Sequence, residues 1–188
     1  MRRTRLRSAL LACALATATA AATGCTREAE KGEPLREGLS AEAAGVKYNV
    51  FITRQINQHL ASDRHFYRGP EPRPGFTYYG VFIKVCNETE GFKRPIEYDE
   101  FHVKDSQGNE FEPVEQEPDN VFAYRARSLS QHACVPEAGS PPADGPTGGA
   151  LLLFEFPVQT LENRPLELEI EAVDEKGKEE FKAIELDL

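Results

Sequence analysis

The segment from residue 166 to residue 172 alternates strictly between apolar and acidic side chains. Its even positions hold leucine, isoleucine or alanine, and its odd positions hold glutamate. Successive side chains of an extended chain point to opposite sides, so this period of two is typical of a β-strand with one buried face. The glutamates also keep the other face charged, which opposes aggregation. A chain with this pattern is constrained to form a sheet.

Segments of similar character recur along the chain, and together they predict about seven strands. They are separated by turn sequences rich in Gly, Pro, Asp and Asn, and no stretch has a convincing helical period. We expect strands over residues 46–54, 77–86, 96–104, 110–114, 151–156, 166–172 and 181–188. The segment 77–86 is the most apolar and has apolar residues on both faces. This number and spacing of strands predicts an all-β fold, an antiparallel β-sandwich.

The first 25 residues have the layout of an export signal. Four arginines within the first seven residues precede a short apolar stretch, which closes with Ala-Thr-Gly-Cys at residues 22–25. This order is typical of a secretory signal peptide, because the apolar part is too short to span a membrane. The closing residues resemble the lipobox of bacterial lipoproteins. In that motif, cleavage between the positions of Gly24 and Cys25 exposes a cysteine that carries a lipid.

This interpretation divides the chain into three parts. Residues 1–24 are a cleaved signal peptide, residues 25–45 are a lipidated cysteine with a flexible tether, and residues 46–188 are one domain. The tether is expected because residues 26–45 are rich in Glu, Lys, Arg, Gly and Ala, with little to bury; a helical turn near residues 40–44 stays open. The protein is therefore predicted on the extracytoplasmic face of a bacterial membrane, attached through Cys25.

The charge of the chain restricts its partners. Without residues 1–24, 18 basic residues remain against 31 acidic ones, a formal net charge of −13 compared with −9 for the whole chain. Such a chain is repelled by phosphate backbones and anionic lipid surfaces, so no nucleic-acid partner is expected. Arg64, Arg68 and Arg73 lie near one another in sequence, and we interpret them as solvated loop charges.

The four cysteines have different expected fates. Cys13 leaves with the signal peptide, and Cys25 takes the lipid. Cys86 and Cys134 remain in an exported domain, where a disulfide between them is expected because the compartment is oxidising. Two separate buried thiols are the alternative. No CxxC motif occurs, so no zinc site is expected from the cysteines.

Three segments resemble a known bacterial lipoprotein family. Residues 79–87 match its apolar strand that ends in Asn. Residues 101–113 match its hairpin, which has an Asp-x-x-Gly turn and a following Pro. Residues 149–157 match its strand with Gly, an apolar run and Phe-x-x-Pro. The family has a single immunoglobulin-like domain of unknown function. Its superfamily includes the mycobacterial immunoprotective extracellular antigen. The resemblance implies an immunoglobulin-like β-sandwich on a cell surface, with no established catalytic residues.

Residues 115–149 depart from the family pattern as a long insertion. Its apolar residues are expected to cap one end of the core, and its Pro- and Gly-rich run from residue 136 is expected to be a mobile loop. The apolar residues concerned are Val121, Phe122, Tyr124 and Leu129. Through Cys134 the insertion would be pinned to the strand that contains Cys86.

No catalytic motif, metal site or cofactor site is expected. The chain has no nucleophile elbow, phosphate-binding glycine loop, HExxH or EF-hand sequence. Its histidines fit no metal-ligand spacing, and its acidic loop cluster is interpreted as solvated. The histidines are His59, His65, His102 and His132, and the cluster consists of Glu115, Glu117 and Asp119. The glycosylation sequon at residues 87–89 is interpreted as accidental.

Two functional hypotheses follow. The first is a surface-anchored module that binds or spaces another component of the cell envelope through its loops. The second is a lipoprotein that binds a small ligand or a metal ion. An aromatic group flanks the proline-rich loop 69–75, and core packing is its default role, with an exposed patch as the alternative. The group consists of Phe66, Tyr67, Phe76, Tyr78 and Tyr79.

Overall fold

The computed structural model describes residues 32–188, which form ten strands in two sheets packed against each other. The first sheet has the order β1-β10-β9-β5-β6. Its strands are β1 (Leu35–Arg36), β5 (Phe101–Lys104), β6 (Glu110–Phe111), β9 (Glu167–Val173) and β10 (Glu179–Glu185). All its pairs are antiparallel except β1 with β10.

The second sheet is built around its longest strands. It consists of β2 (Ser40–Ala43), β3 (Val46–Ile56), β4 (Phe76–Cys86), β7 (Cys134–Val135) and β8 (Ala150–Pro157). One edge of β4 pairs with β3, while β8 and β7 pair with it in turn along the other edge. Helical structure within the described residues amounts to α1 (Pro141–Asp144) and two short 3₁₀ segments. No helix in that part of the chain has the length and apolar character to cross a membrane.

The all-β sandwich predicted from the sequence is confirmed. The main core lies between the sheets, and the alternating residues of β9 and β4 supply much of it: Val81, Ile83, Val85, Leu168 and Ile170 are fully buried. The predicted strand over residues 96–104 is shorter than expected. Residues 98–100 form a 3₁₀ turn instead, because Glu97 and Glu100 each accept a hydrogen bond from the other's backbone amide.

One glutamate on the outward face of the alternating segment is buried and not solvated as predicted. Glu169 is buried, and its carboxylate lies 3.9 Å from Nζ of Lys104. Because β9 is a central strand between β10 and β5, side chains of the neighbouring strand cover its outward face at this position. Pairing with a cation is what allows a carboxylate to be buried there.

The predicted tether 25–45 is too long. Residues 35–36 and 40–43 are strands, and Ala41 and Ala43 are fully buried in the main core. Residues Ala44 and Gly45 connect β2 to β3, with φ angles of 50° and 75°. A two-residue hairpin loop with positive φ at both positions fits the twist of the strands it joins. The folded domain therefore begins at or before Leu35, and Cys25 lies outside the described residues.

The insertion 115–149 is an integral part of the fold. Tyr124 and Leu129 are buried in the main core, as expected for core-capping residues, whereas Val121 is 65% exposed. The Pro- and Gly-rich run, expected as a mobile loop, contributes the buried residues Pro142 and Thr147. Removing the insertion would therefore remove part of the core.

A second apolar cluster covers the outward face of the second sheet. Phe82 and Tyr78 of β4 and Leu151 of β8 pack there against residues 57–75 and 113–124, which we call the outer layer. The outer layer contributes Phe66, Tyr67, Val114 and Phe122 to the cluster. Both faces of β4 are consequently covered, as its two apolar faces predict.

Candidate functional site

The disulfide expected between Cys86 and Cys134 is present. The two cysteines are directly opposite in the pairing of β4 with β7, and their bond closes a sequence separation of 48 residues. The alternative of two unpaired thiols is therefore wrong. The bond attaches the insertion to the end of β4.

The sequon asparagine next to the disulfide has a structural role. Asn87 is fully buried, and its side-chain amide donates hydrogen bonds to the carbonyl oxygens of Gly91 and Leu129. Its backbone amide donates to Ala133 O, and its carbonyl accepts from the amide of His132. A side chain engaged in this way is not available to a glycosylating enzyme, which agrees with an accidental sequon.

The histidines and the acidic loop residues do not come together. His59 lies 3.4 Å from Glu71, His102 lies 4.0 Å from Glu110, and His65 packs on Phe66. Within residues 32–188 no group of three or more His, Cys, Asp or Glu side chains could hold a metal ion. Glu115, Glu117 and Asp119 are all exposed to solvent.

The aromatic residues around the proline-rich loop pack into the molecule. Phe66, Tyr67 and Tyr78 are buried, while Phe76 and Tyr79 are half-buried. The guanidinium of Arg73 lies 4.0 Å from the centre of the Phe76 ring. This arrangement favours core packing over an exposed aromatic patch.

The outer layer contains an open cavity of about 420 Å³, which we call the arginine cavity. It lies in the chain segment between the end of β3 and the start of β4. Its lining consists of Gln58, His59, Arg64, Tyr67, Arg68, Gly69 and Glu71. A cavity of this size is within the range of small-molecule sites in proteins. A second open hollow of about 650 Å³ lies near β6, between Arg73, His102 and several carboxylates.

A buried carboxylate fixes the loop that forms the arginine cavity. Asp63 is 1% exposed and accepts hydrogen bonds from the guanidinium of Arg54, the backbone amide of Asn57 and the hydroxyl of Ser62. Burial alone would raise the pKa of Asp63, but these hydrogen bonds and the charge of Arg54 outweigh it and hold the pKa below its ordinary value. The carboxylate therefore stays ionised and ties residues 54–63 together.

Two arginines of the cavity are held by their Nε atoms. Nε of Arg64 donates to the carbonyl of Gln58 at 3.1 Å, and Nε of Arg68 donates to the carbonyl of Arg64 at 3.4 Å. Among the described residues, no carboxylate lies within ion-pair distance of either guanidinium. Arg73, by contrast, pairs with Glu155 at 2.7 Å. The three arginines that the sequence places together are thus separated into one paired and two unpaired cations.

The floor of the cavity depends on a close approach between Tyr67 and Gly69. A Cβ atom at Gly69 would overlap the hydroxyl and ring of Tyr67, so any other residue here would displace the Tyr67 side chain. Nε2 of Gln58 donates to the carbonyl of Gly69 at 2.7 Å, which orients the amide. Its Oε1 is buried and has no hydrogen-bond donor among the described residues. Sequence reasoning missed Gln58 and Asp63, because neither belongs to a recognisable motif.

Three solved structures resemble this fold at low sequence identity. The yjhA protein of Bacillus subtilis matches with a TM-score of 0.46 and 8% identity over 81% of this chain and 99% of its own. A candidate lipoprotein (ycdA) of B. subtilis subsp. subtilis str. 168 matches at 0.46 and 10%, over 79% of this chain and 38% of its own. An uncharacterized β-sandwich protein of Clostridium difficile 630 matches at 0.43 and 12%, over 85% and 100%. No protein-family model and no curated protein matches the sequence.

We expect the substitution Asp63→Asn to destabilise the domain by about 1–3 kcal/mol at pH 7, because the carboxylate accepts several hydrogen bonds in a buried place. Since the pKa of Asp63 is lowered by folding, its contribution is present above about pH 4 and is lost as the pH falls through the folded-state value. The variant should therefore lose less stability than the parent on acidification. Urea unfolding between pH 7 and pH 2 measures both effects.

The exposed carboxylate Asp119 provides the control for this experiment. Asp119→Asn should leave the free energy of unfolding at pH 7 unchanged, because Asp119 is solvated in the outer layer. Equal stability of Asp63→Asn and the parent at pH 7 would contradict the structural role of Asp63.

Proposed function

We propose that this chain is an exported bacterial lipoprotein, attached to the outer side of the cell membrane by a lipid on Cys25. Its sandwich serves there as a module that binds another component of the cell envelope. The observation that supports this most strongly is the order of arginines, apolar stretch, small residues and cysteine in residues 1–25. The resemblance of residues 79–87, 101–113 and 149–157 to a lipoprotein family with an immunoglobulin-like domain supports the same conclusion.

The disulfide fits this location. Disulfides persist in oxidising compartments outside the cytoplasm and are rare inside it. In the chain-entropy model, closing a loop of this length stabilises a domain by about 4 kcal/mol. The bond between Cys86 and Cys134 also attaches the insertion, which contains part of the core. A domain stabilised by such a bond is suited to the oxidising conditions of the cell envelope.

The position of β1 brings the domain close to its proposed anchor. Nine residues separate Cys25 from Leu35, the first residue of β1. Nine residues reach about 30 Å at most, whatever conformation they adopt. The end of the sandwich where β1 begins would therefore lie near the membrane surface.

The insertion offers the surface that most distinguishes this chain from the family it resembles. Loops on a rigid scaffold are where binding residues concentrate. Val121 is 65% exposed on the outer layer, although its neighbour Phe122 packs into the second cluster. We therefore place the proposed partner contact on the insertion around Val121.

The lipid anchor predicts a clear outcome for Cys25→Ala. This variant should give an unlipidated form, either soluble or unprocessed with its signal still attached, because it lacks the cysteine that takes the lipid. The lipid contributes about 0.8 kcal/mol per buried CH₂ group, and stable anchoring takes more than one chain. Cys13→Ala is the matched control and should remain in the membrane, since residue 13 is removed with the signal. Fractionation with intact-mass analysis measures both variants. An unmodified Cys25 in membrane-bound protein would refute the anchor.

The partner contact predicts a difference between two exposed valines. A photo-reactive amino acid at Val121 should give a discrete adduct in intact cells, whereas the same group at Val173, which is 63% exposed on the other sheet, should not. Adding Cys25→Ala should abolish the adduct, because it removes the protein from the envelope. Adduct formation that is equal at both positions, or absent at Val121, would contradict a contact on the insertion.

A further inference from the structure

Two basic residues that line one cavity, Arg64 and Arg68, have no carboxylate partner, whereas half of the basic residues in residues 32–188 have one. Lys47, Arg54, Arg73, Lys93 and Arg94 each pair with a carboxylate. Arg64 and Arg68 do not, within residues 32–188, even though carboxylates greatly outnumber cations. The nearest carboxylate in sequence, Asp63, is already engaged by Arg54 and is buried. The two arginines therefore form a local positive site.

The two guanidinium groups are positioned rather than free. Each uses its Nε atom to hold a backbone carbonyl of the same loop, at 3.1 Å for Arg64 and 3.4 Å for Arg68. Both side chains line the arginine cavity, and within residues 32–188 no acceptor pairs with their Nη atoms. A guanidinium presents its N–H groups as a planar fork that matches the oxygens of a phosphate. Two such forks at one cavity suit a tetrahedral anion with several acceptor oxygens.

The side-chain amide of Gln58, a third residue of the cavity, is fixed in orientation. Oε1 of Gln58 is a buried acceptor without a donor in the described part of the chain, and its amide cannot turn over without losing the bond to Gly69. Because Oε1 is closed off from solvent, a ligand in the cavity does not reach it, and Gln58 serves to hold the Gly69 side of the cavity in place.

The arginine cavity lies at the same end of the sandwich as the start of β1. Residues 57–75 leave the second sheet after Ile56, the last residue of β3. Glu37, which follows β1 directly, accepts a hydrogen bond from the amide of Thr53 near that end of β3. The loop with the cavity and the chain that leads back to Cys25 therefore lie on the membrane-proximal end of the proposed lipoprotein.

We propose that the arginine cavity binds the phosphate group of a phosphate ester through Arg64 and Arg68. Two sources share this chemistry: the headgroup of an anionic phospholipid, which the position near β1 favours, and a soluble phosphate ester. Only the preference for the headgroup rests on the proposed lipid anchor. Glu71 lines the same cavity and faces His59 at 3.4 Å, so its negative charge opposes the ligand. The two arginines would attract an anionic group at this place, although the net charge of the protein predicts repulsion from anionic surfaces.

The test uses the chain from residue 25 onward with Cys25→Ser, so that no lipid contributes. The two probes are glycerol 3-phosphate in solution, and vesicles of phosphatidylcholine with or without one third phosphatidylglycerol. The test variant combines Arg64→Gln with Arg68→Gln. The control variant combines Lys84→Gln with Lys182→Gln, which changes the net charge equally at exposed positions outside the cavity. Circular dichroism and the unfolding midpoint establish that both variants are folded.

We expect the arginine variant to bind the anionic vesicles about 25-fold more weakly than the parent, since each arginine near an anionic surface contributes about fivefold. The lysine variant should change much less. Glu71→Gln should strengthen binding, because it removes the opposing charge. Vesicle binding without glycerol phosphate binding assigns the site to lipid headgroups, and the reverse assigns it to soluble esters; both support the phosphate site.

Two results would overturn the proposal. One is that neither probe binds the folded parent protein. The other is that the lysine variant loses as much affinity as the arginine variant, which would mean that net charge alone attracts the protein. Because the assayed protein has no lipid, these outcomes are independent of whether Cys25 is modified in cells.

Discussion

The burial of β4 on both faces is the constraint on which the rest of the structure depends. One face of this strand packs into the main core through Val81, Ile83 and Val85, and the other packs under the outer layer through Tyr78 and Phe82. A strand that is apolar on both sides cannot form the outer surface of a simple two-layer sandwich, because one row of large apolar side chains would meet water. The chain must provide a third layer, and residues 57–75 and 113–124 do so.

The outer layer is held by backbone hydrogen bonds as well as by apolar contact. The amides of Val114 and Tyr124 donate to the carbonyls of Leu153 and Leu151 on the free edge of β8. The side-chain amide of Asn120 donates to the carbonyl of Phe66, which joins the two segments of the layer to each other. These bonds cover an edge that would otherwise be open to pairing with another chain. The arginine cavity forms where the same layer turns back toward β4.

The disulfide lies where the third layer continues into the main core. The insertion passes from the outer layer at Phe122 to buried positions at Tyr124 and Leu129 before it reaches Cys134. Cys134 then attaches to Cys86 at the end of β4. β4, which needs the third layer to cover its outward face, is thus covalently linked to the insertion, which supplies part of that layer.

The sequence predicts the parts of the fold in which hydrophobic alternation is strong. The segments 77–86, 151–156 and 166–172 are strands as expected, and the pairing of Cys86 with Cys134 is predicted from the number of cysteines and the expectation of export. β1 and β2 were not predictable in this way, because the small residues Ala41 and Ala43 give little hydrophobic signal although they are fully buried.

The candidate site was less predictable than the fold. The sequence shows three arginines close together, but only the folded chain shows that Arg73 pairs with Glu155 while Arg64 and Arg68 do not pair. Likewise, the burial of Glu169 depends on its neighbours across the strands, which a single strand's alternation does not reveal. Whether two charges pair depends on residues that are far apart in the sequence. Local sequence patterns therefore indicate the composition of a site and not its geometry.

Amide hydrogen exchange of the insertion tests the central claim, that it is a folded layer and not a surface loop. The amides of Tyr124 and Leu129 donate to Leu151 O at 2.9 Å and Lys93 O at 2.7 Å, and both residues are buried. The account predicts that these amides exchange as slowly as those in the centre of β8, through opening of the whole domain. Exchange at the rate of an unstructured chain, while β8 remains protected, would contradict it.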